Sequence, residues 1–482
     1  MNIIVVIVDT LRYDAIGANG NPAMKTPNLN RLTAEGWAFD RSYTASYPTI
    51  PHRTDALTGR YGAPFHAWKP LDTDVLTIPR ALADHGYCTQ LIHDTPHLVN
   101  GGHNFDFPFH AWTPIRGAEV DRPWIDDSTD LLDNWCSDPL FDAYDLNKVL
   151  STNTDTYMRA NRKRKKPEDW NCARLFLTAS DFLRDNRSRD NFFLWVDCFD
   201  PHEPWDAPPE MMLLYDQTPG YDGRIDPRSF LYRNEPDLPP AAAERVKAAY
   251  MAKVSWVDKW LGTFLDTLEE TGLAKRTAVI LTADHGTNVG ERKRFGKGYP
   301  VREQEARTPF IVRVPDGGAG RNDIIVQPQD LFATVMGIAG LRTPESLDSH
   351  DVLALAQKGA DGPRRLALAG NIASERWRNP EHVCCTVFDG EWYLEVTPDP
   401  EHSALTKEGT VDDVADRHPD VAARLRAAAL AELGRRGCDP RLVDWIRGEG
   451  KAKFPFGCRT SDARPAPNGW RSYFGQLYHE AP

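Results

Sequence analysis

Three separated segments of this chain hold side chains that could do chemistry together. Asp9 and Thr10 are followed by Arg12 and Asp14, and Asp284-His285-Gly286 lies far downstream. Between them runs Ser46-Tyr47-Pro48-Thr49-Ile50-Pro51-His52-Arg53, continuing to Thr58-Gly59-Arg60. Two carboxylates and an imidazole are the hard and borderline ligands that a divalent cation takes. An Asp after a strand is also an ordinary helix cap or turn former, so the argument rests on the combination. A helix beginning near Pro51 would leave its first N–H groups free beside Thr49, which makes an anion site. Arg53 would project from the first turn into the same spot, and its fork matches a tetrahedral oxyanion. The same local pattern also fits a Pro-initiated helix with a Thr cap.

These residues need elements to hold them. Ile3–Val8, Tyr87–Ile92, Phe192–Val196, Ala278–Leu281 and Phe310–Val314 are short, apolar and rich in β-branched or aromatic residues, and read as strands. Thr77–His85, Ala241–Thr271 and Pro328–Ile338 read as helices; the long one carries Val246, Tyr250, Val254, Val257, Leu261 and Phe264 as an amphipathic stripe. Alternation of this kind predicts an α/β fold with a large, mostly parallel sheet covered on both faces. Ligands of such sheets bind beyond the carboxyl ends of the strands, where Asp9 and Asp284 fall. The stretch from Val99 to Arg189 reads as long loops with short helices, and Asp316–Asp323 as a Gly-rich connection. From about Glu375 the pattern changes to a hairpin, Cys384–Phe388 and Glu391–Val396 around Asp389-Gly390, then an Ala/Leu helix over 419–435. Residues 1–375 are expected to form the catalytic domain and 376–482 a smaller α+β unit.

Composition bounds the partners. Of 482 residues, 41% are hydrophobic and 26% charged, as in a globular protein, and 57 basic against 69 acidic residues leave a net charge of −12. A nucleic-acid or anionic-membrane partner is thereby disfavoured, including for the basic run Arg162–Lys166. Any anion must be met in a small, locally positive pocket. The first apolar run is far too short for a membrane span and lacks the basic flank and cleavage site of a signal peptide. The eight cysteines show no CxxC spacing. Both features predict a cytoplasmic protein with reduced thiols and no zinc–thiolate site.

The blocks resemble the sulfatase branch of the alkaline phosphatase superfamily. Thr49-x-Pro51-x-Arg53 with Thr58-Gly59-Arg60 is similar to its signature, Cys/Ser-x-Pro-x-Arg followed by Thr-Gly-Arg/Lys. Asp9 matches the metal-binding Asp of the first strand, and Asp284-His285-Gly286 the Asp-His/Asn-Gly metal motif. Pro201-His202-x-Pro204 matches a segment whose His contacts the anion, and Gly296-Lys297-Gly298 the lysine that follows the metal motif. Arg307-Thr308-Pro309-Phe310-Ile311-Val312 matches a further strand, and the C-terminal hairpin and helix resemble the family's small subdomain. The resemblance implies an alkaline phosphatase-like fold and a metal-dependent ester hydrolase.

Three positions depart from the family. Thr49 stands where sulfatases form formylglycine, so no formylglycine is expected, and superfamily members with Thr there use it as the nucleophile. His93-Asp94-Thr95-Pro96-His97-Leu98 replaces Gly-Lys-Trp-His-Leu-Gly, keeping the histidine as His97 and losing a lysine. That loss suits a less negative or amine-bearing substrate. Thr10 replaces the second Asp of an Asp-Asp pair, which weakens a calcium site relative to Mn²⁺ or Zn²⁺. The resemblance then implies one divalent ion (Mn²⁺, Zn²⁺ or Ca²⁺) on Asp9, Thr49, Asp284 and His285, with Asp197 and Asp200 open. Thr49, Arg53, His97, His202 and Lys297 are the implied catalytic set, with His97 as the foremost proton donor. The expected activity is hydrolysis of a small anionic ester: a phosphate diester, phosphonate monoester or sulfate ester. A phosphoryl or phosphoalkyl transferase, a sulfatase working without formylglycine and an inactive binding protein are the alternatives, and a homo-oligomer is compatible with the sequence. The aromatic tail after Phe454, with Trp470, Tyr473, Phe474 and Tyr478, would close the pocket, serve an interface or simply pack on the core.

Overall fold

A computed structural model of the chain describes residues 1–121, 131–144, 153–229, 238–372 and 380–449. Its centre is an eight-stranded sheet. The strands are β1 (Asn2–Val8), β2 (Trp37–Ser42), β3 (Cys88–His93), β4 (Ala111–Pro114), β5 (Phe192–Cys198), β6 (Thr277–Thr282), β7 (Phe310–Arg313) and β8 (Gly320–Val326). They lie in the order β8-β2-β7-β6-β1-β5-β3-β4. Only β7 runs antiparallel to its neighbours, so the sheet is mostly parallel, as the sequence predicts.

β1 is continuous in apolar residues because both its faces are covered. Ile4, Val6 and Val8 join one core and Ile3, Val5 and Ile7 the other. Over the first face lie α4 (Asn171–Asp185) and α5 (Pro240–Glu270). Over the second lie α2 (Thr49–Thr58), α3 (Ile78–Ala83) and α6 (Asp330–Ile338). α5 starts at Pro240, where the missing N–H costs nothing. Its Asp258 carboxylate accepts the Asn28 and Leu29 N–H groups at 3.2 and 2.7 Å, capping α1 (Pro27–Glu35) from a neighbouring element.

Two readings of the sequence need correction. The stretch from Val99 to Arg189 holds more than loops and short helices: it contains the 15-residue helix α4 and the edge strand β4. Cys172, Leu175, Phe176, Ala179 and Leu183 are buried at helical spacing and face the stripe of α5. The Gly-rich connection ends early, because β8 begins at Gly320.

A second, antiparallel sheet holds β9 (Ala367–Ala369), β10 (Cys385–Phe388), β11 (Trp392–Val396) and β12 (Leu405–Lys407) in sequential order. The expected hairpin forms its middle, and the expected helix, α7 (Pro419–Arg435), buries Leu425, Ala429 and Leu433 in the same core. β9 lies ahead of residue 375, in the chain segment that precedes the hairpin. The aromatic tail lies outside the described residues. Among those residues no helix is long and apolar enough to cross a membrane.

Candidate active site

The strand ends bring the first candidates together. In register Ile7 of β1 lies beside Asp197 of β5 and Thr282 of β6, so Asp9 and Asp284 leave adjacent strands on the same edge. Asp9 N donates to Cys198 O at 2.8 Å. The next residue, Thr10, has φ 65°, a left-handed conformation that a β-branched residue adopts only when its surroundings hold it there. Those surroundings are explicit. Thr10 N donates to Asp284 Oδ1 at 3.0 Å, its hydroxyl to Asp9 Oδ1 at 2.7 Å, and Tyr250 OH to its carbonyl at 3.0 Å. Where the family has a second carboxylate, Thr10 thus acts as a donor that clips Asp9 to Asp284.

Arg53 lies within this group and is fully buried. Nε and Nη2 grip Asp197 at 2.9 and 2.7 Å, Nη1 donates to Asp284 at 2.7 Å and to Thr49 O at 3.1 Å, and Nη2 reaches Asp9 at 3.2 Å. All five N–H groups of the guanidinium are therefore committed to the protein. The sequence places Arg53 with its fork toward an anion; the structure places it beneath the site, tying three carboxylates to the first turn of α2. Asp197, left open by the sequence, is its bidentate counter-ion and also accepts Thr95 Oγ1 at 2.6 Å and Trp195 Nε1 at 3.0 Å.

The charges do not balance. Three carboxylates, Asp9, Asp197 and Asp284, surround the one guanidinium of Arg53, with no exposed atoms on any of the four side chains. Burial, and then the charge of Asp284, push the Asp9 carboxyl well above the usual carboxylate range. His285 Nδ1 lies 2.9 Å from Gly286 O, which only accepts, so the proton is on Nδ1 and Nε2 carries a lone pair. Nε2 is buried without a hydrogen-bond partner, 3.5 Å from Asp284 Oδ2. Burial lowers the ring's pKa to about 4, the neutral form that ligates metals. Ligand atoms of Asp9, Asp284 and His285 all lie within 4.8 Å of one another. An excess of buried carboxylates and an orphaned imidazole lone pair fit a divalent cation. Gly286 completes the motif for steric reasons: a Cβ there would come within 2.1 Å of Gln304 O.

Thr49 opens α2 as its first helical residue, 3% exposed. Its neighbours touch the metal candidates on both sides, since the Tyr47 ring lies 5.1 Å from that of His285 and Arg53 binds Asp284. Gly59, at φ 67°, ends the helix with its N–H on Asp55 O, and Arg60 donates to Ser346 O; Thr58-Gly59-Arg60 terminates α2 and lies away from the chemistry.

The remaining candidates form a second group. The His202 ring stacks on Phe199 at 4.0 Å, with Nδ1 2.7 Å from Glu203 O and 3.2 Å from carboxylate oxygens of both Glu203 and Glu119. Lys297 Nζ lies 3.2 Å from Glu203 Oε2. Burial works against the charge of Lys297, but Glu203, Asp9, Glu119 and Asp284 outweigh it, so the amine keeps its proton. His97 is buried with its ring 5.2 Å from Trp68 and 5.7 Å from Phe199. Burial, followed by the charges of His202, His103 and Lys297, holds it well below the usual histidine range. Of the three expected proton donors, Lys297 is the one that holds a proton at neutral pH.

Asp200 pairs with the buried Lys253 at 3.2 Å, and Lys253 also binds Asp206 at 2.7 Å. Asp94 accepts Phe199 N at 2.6 Å and is pushed well up by burial and by the charge of Asp200. It braces the loop that carries His202. Sequence reasoning missed Glu203 although it sits inside Pro201-His202-x-Pro204. It also missed Glu119, which no motif flags, and His52, whose buried Nε2 has no hydrogen-bond partner.

A family model described as Sulfatase matches residues 1–341. An arylsulfatase of Clostridium perfringens is 27% identical over 396 residues, covering 72% of this chain and 76% of its own. A multifunctional alkaline phosphatase superfamily protein of Trinickia caryophylli is 24% identical over 424 residues, covering 76% and 79%. The solved phosphonate monoester hydrolase of Silicibacter pomeroyi superposes with a TM-score of 0.67 at 20% identity, over 90% of this chain and 95% of the other. With these matches and the strand-end cluster of Asp9, Asp284 and His285, the chain belongs to the sulfatase family of the alkaline phosphatase superfamily, and is an ester hydrolase of that superfamily.

Proposed function

We propose that this protein hydrolyses small phosphate diesters, phosphonate monoesters or sulfate esters with one divalent ion and a covalent intermediate on Thr49. The observation that carries the reading is the buried Asp9–Asp284–His285 cluster, rich in carboxylate, next to the helix that opens on Thr49. Asp9, Asp284 and His285, with Thr49 as fourth ligand, would hold the ion; the imidazole favours Mn²⁺ or Zn²⁺ over Ca²⁺. Such an ion supplies positive charge beside the Thr49 hydroxyl and the ester oxygens, easing deprotonation of the one and charge build-up on the others.

The chain's own groups do the rest. Arg53 fixes the carboxylates and, through Thr49 O, the start of α2. Thr49 Oγ bonds to phosphorus or sulfur as the bond to the leaving oxygen breaks; its hydroxyl proton passes to His202 and Lys297 protonates the leaving oxygen. Water then repeats the step on the Thr49 ester and regenerates the hydroxyl. A Thr ester has no hemiacetal route for expelling sulfate, so phosphorus is the favoured centre. His97 walls the pocket beside Trp68 and Phe199.

Turnover of bis-p-nitrophenyl phosphate, p-nitrophenyl phenylphosphonate and p-nitrophenyl sulfate with Mn²⁺, Zn²⁺ and Ca²⁺ tests the reading. Thr49→Ala is expected to keep bound metal while kcat falls by at least about 10³-fold. Wild-type kcat in that variant would refute the nucleophile.

A further inference from the structure

Arg12 and Asp14 follow Asp9 in the sequence and take no part in the proposed chemistry. Arg12 is nonetheless buried, and the loop after β1 is shaped around it. Its backbone N–H donates to Tyr250 OH at 3.1 Å, the hydroxyl that in turn donates to Thr10 O. Asp14 grips Nε and Nη2 at 2.7 and 2.6 Å, which leaves Nη1 for partners outside the loop. Nη1 reaches the chain that follows β6, donating to Thr287 O at 3.2 Å and to Glu291 Oε1 at 2.7 Å. The alkyl stem passes over the Asp284-His285-Gly286 motif: a Cβ on Gly286 would come within 2.8 Å of Arg12 Cγ.

Both acceptors of Nη1 sit in one short piece of chain, with His285 just ahead of it and Lys297 at its far end. Within it Asn288–Val289 and Phe295–Gly296 pair as a two-stranded ribbon that ends directly before Lys297. Glu291 lies in the turn of the ribbon and also accepts Val289 N through Oε2 at 2.8 Å. That turn is strained. Arg292 and Lys293 are held at φ 50° and 58°, conformations that persist only where the surroundings over-determine them. Arg292 supplies a second restraint, donating to Tyr393 OH and Thr406 Oγ1 of the small sheet at 3.2 and 3.1 Å. Thr287 Oγ1 donates to Glu203 Oε1 at 3.3 Å, and Glu203 is the carboxylate beside Lys297.

We infer that Arg12 is a positioning residue: it clamps the segment from His285 to Lys297 against the loop that carries Asp9, so that the cation site and the ammonium keep a fixed separation. The inference deepens the proposed hydrolysis and rests on that reading for the roles of both groups. A guanidinium suits the task, because its fork on Asp14 fixes direction as well as charge and leaves Nη1 aimed across the gap between the two loops. A misplacement of about 1 Å at a reacting group can cost about 10²-fold in rate, which is the scale on which such a clamp acts.

Two variants test the clamp on the full chain loaded with Co²⁺, a coloured stand-in for Mn²⁺ or Zn²⁺ whose visible bands follow the geometry of its ligands. Arg12→Met keeps a stem over Gly286 and removes every side-chain donor. Its partners Asp14 and Glu291 have side chains 55% and 21% exposed and turn to water, so the variant is expected to fold. Its Co²⁺ bands should shift from those of the wild type. Glu291→Gln is milder: one amide oxygen replaces two carboxylate oxygens, so either Arg12 or Val289 N loses its acceptor. With Lys297 displaced, kcat should fall about ten times further for a phenyl ester than for the p-nitrophenyl ester of the same acid, because phenoxide depends more on a proton. In a Lys297→Ala background Glu291→Gln should cost nothing more. A merely structural pair would lower stability and leave both the bands and the ratio of the two esters unmoved. Unshifted bands in Arg12→Met, equal losses on both esters in Glu291→Gln, or losses that multiply in the double variant would overturn the inference. Shifted bands in a protein that turns over no ester would leave the clamp standing and refute the hydrolase reading instead.

Discussion

Arg53 is the residue on which the site's electrostatics turn. Its burial is tolerable only because three carboxylates surround it, and theirs only because it is there. Removing one partner of such a group leaves uncompensated charge, which costs far more than the pair contributes. Arg53→Lys keeps the charge but replaces five donors in a fixed fork by three on a point charge, so Asp197 loses its bidentate grip. The variant is expected to be destabilised by about 3 kcal/mol in the absence of metal, with part of that restored by Mn²⁺, as thermal denaturation with and without the ion would read. Equal destabilisation with and without metal would separate Arg53 from the cation site. At this scale the sequence was legible in residue type and poor in orientation. Asp9, Asp284 and His285 could be chosen as ligands because their chemistry is fixed by their type and their place after strands. What Arg53 does depends on which acceptors consume its donors, and Asp197 and Thr49 O come to it only through the fold. Glu119 had no local signal at all, since its partner lies 83 positions away.

Elements were legible where both faces are buried. β1, β5 and β6 are unbroken apolar runs because helices cover them on either side. β8 is an edge strand and β2 lies beside it; both alternate with Asp, Arg or Asn, and so carry no run to find. α4 was hidden for another reason: its periodic Cys172, Leu175, Phe176, Ala179 and Leu183 sit in a stretch whose Asp, Asn, Trp and Pro content reads as loop. Contacts between elements were not legible, and the Asp258 cap of α1 by α5 is one with a measurable consequence. Burial raises the Asp258 pKa to about 6 against a model-compound value of 3.8. Between those values the folded state holds a proton that the unfolded chain has released, so stability falls as pH rises. Above about pH 6 both states are ionised at this site and the slope ends. Relative to Asp258→Asn, the wild type should therefore lose stability from about pH 4 to 6 and run parallel above it, as urea titrations at each pH would show. A flat difference would mean that the carboxylate is ionised throughout.

For the whole molecule, the net charge of −12 and the proposed chemistry of the site pull in different directions, and a divalent ion in the site would reconcile them. Surface acid repels anions over a Debye length of about 8 Å, beyond which salt screens it. In the proposed reading the cavity is governed by what is inside that distance: Lys297 and the cation that Asp9, Asp284 and His285 would hold. Without a cation the fold carries an excess of buried carboxylates at the meeting point of β1, β5, β6 and α2, in the centre of its eight-stranded sheet. The small sheet is tied to the same body, with Arg436 donating to Gln327 Oε1 at 3.0 Å and Arg292 to Thr406 Oγ1 at 3.1 Å. Loss of the ion should therefore be felt by the whole chain in one transition. Binding to the folded state alone stabilises by about 4 kcal/mol when free metal exceeds Kd a thousandfold. Chelation is expected to lower the midpoint of a single calorimetric transition, and readdition of Mn²⁺ or Zn²⁺ to restore it. Asp9→Asn/Asp284→Asn, which removes the excess charge together with two ligands, should abolish that metal response. A metal response that survives in the double variant would place the cation elsewhere.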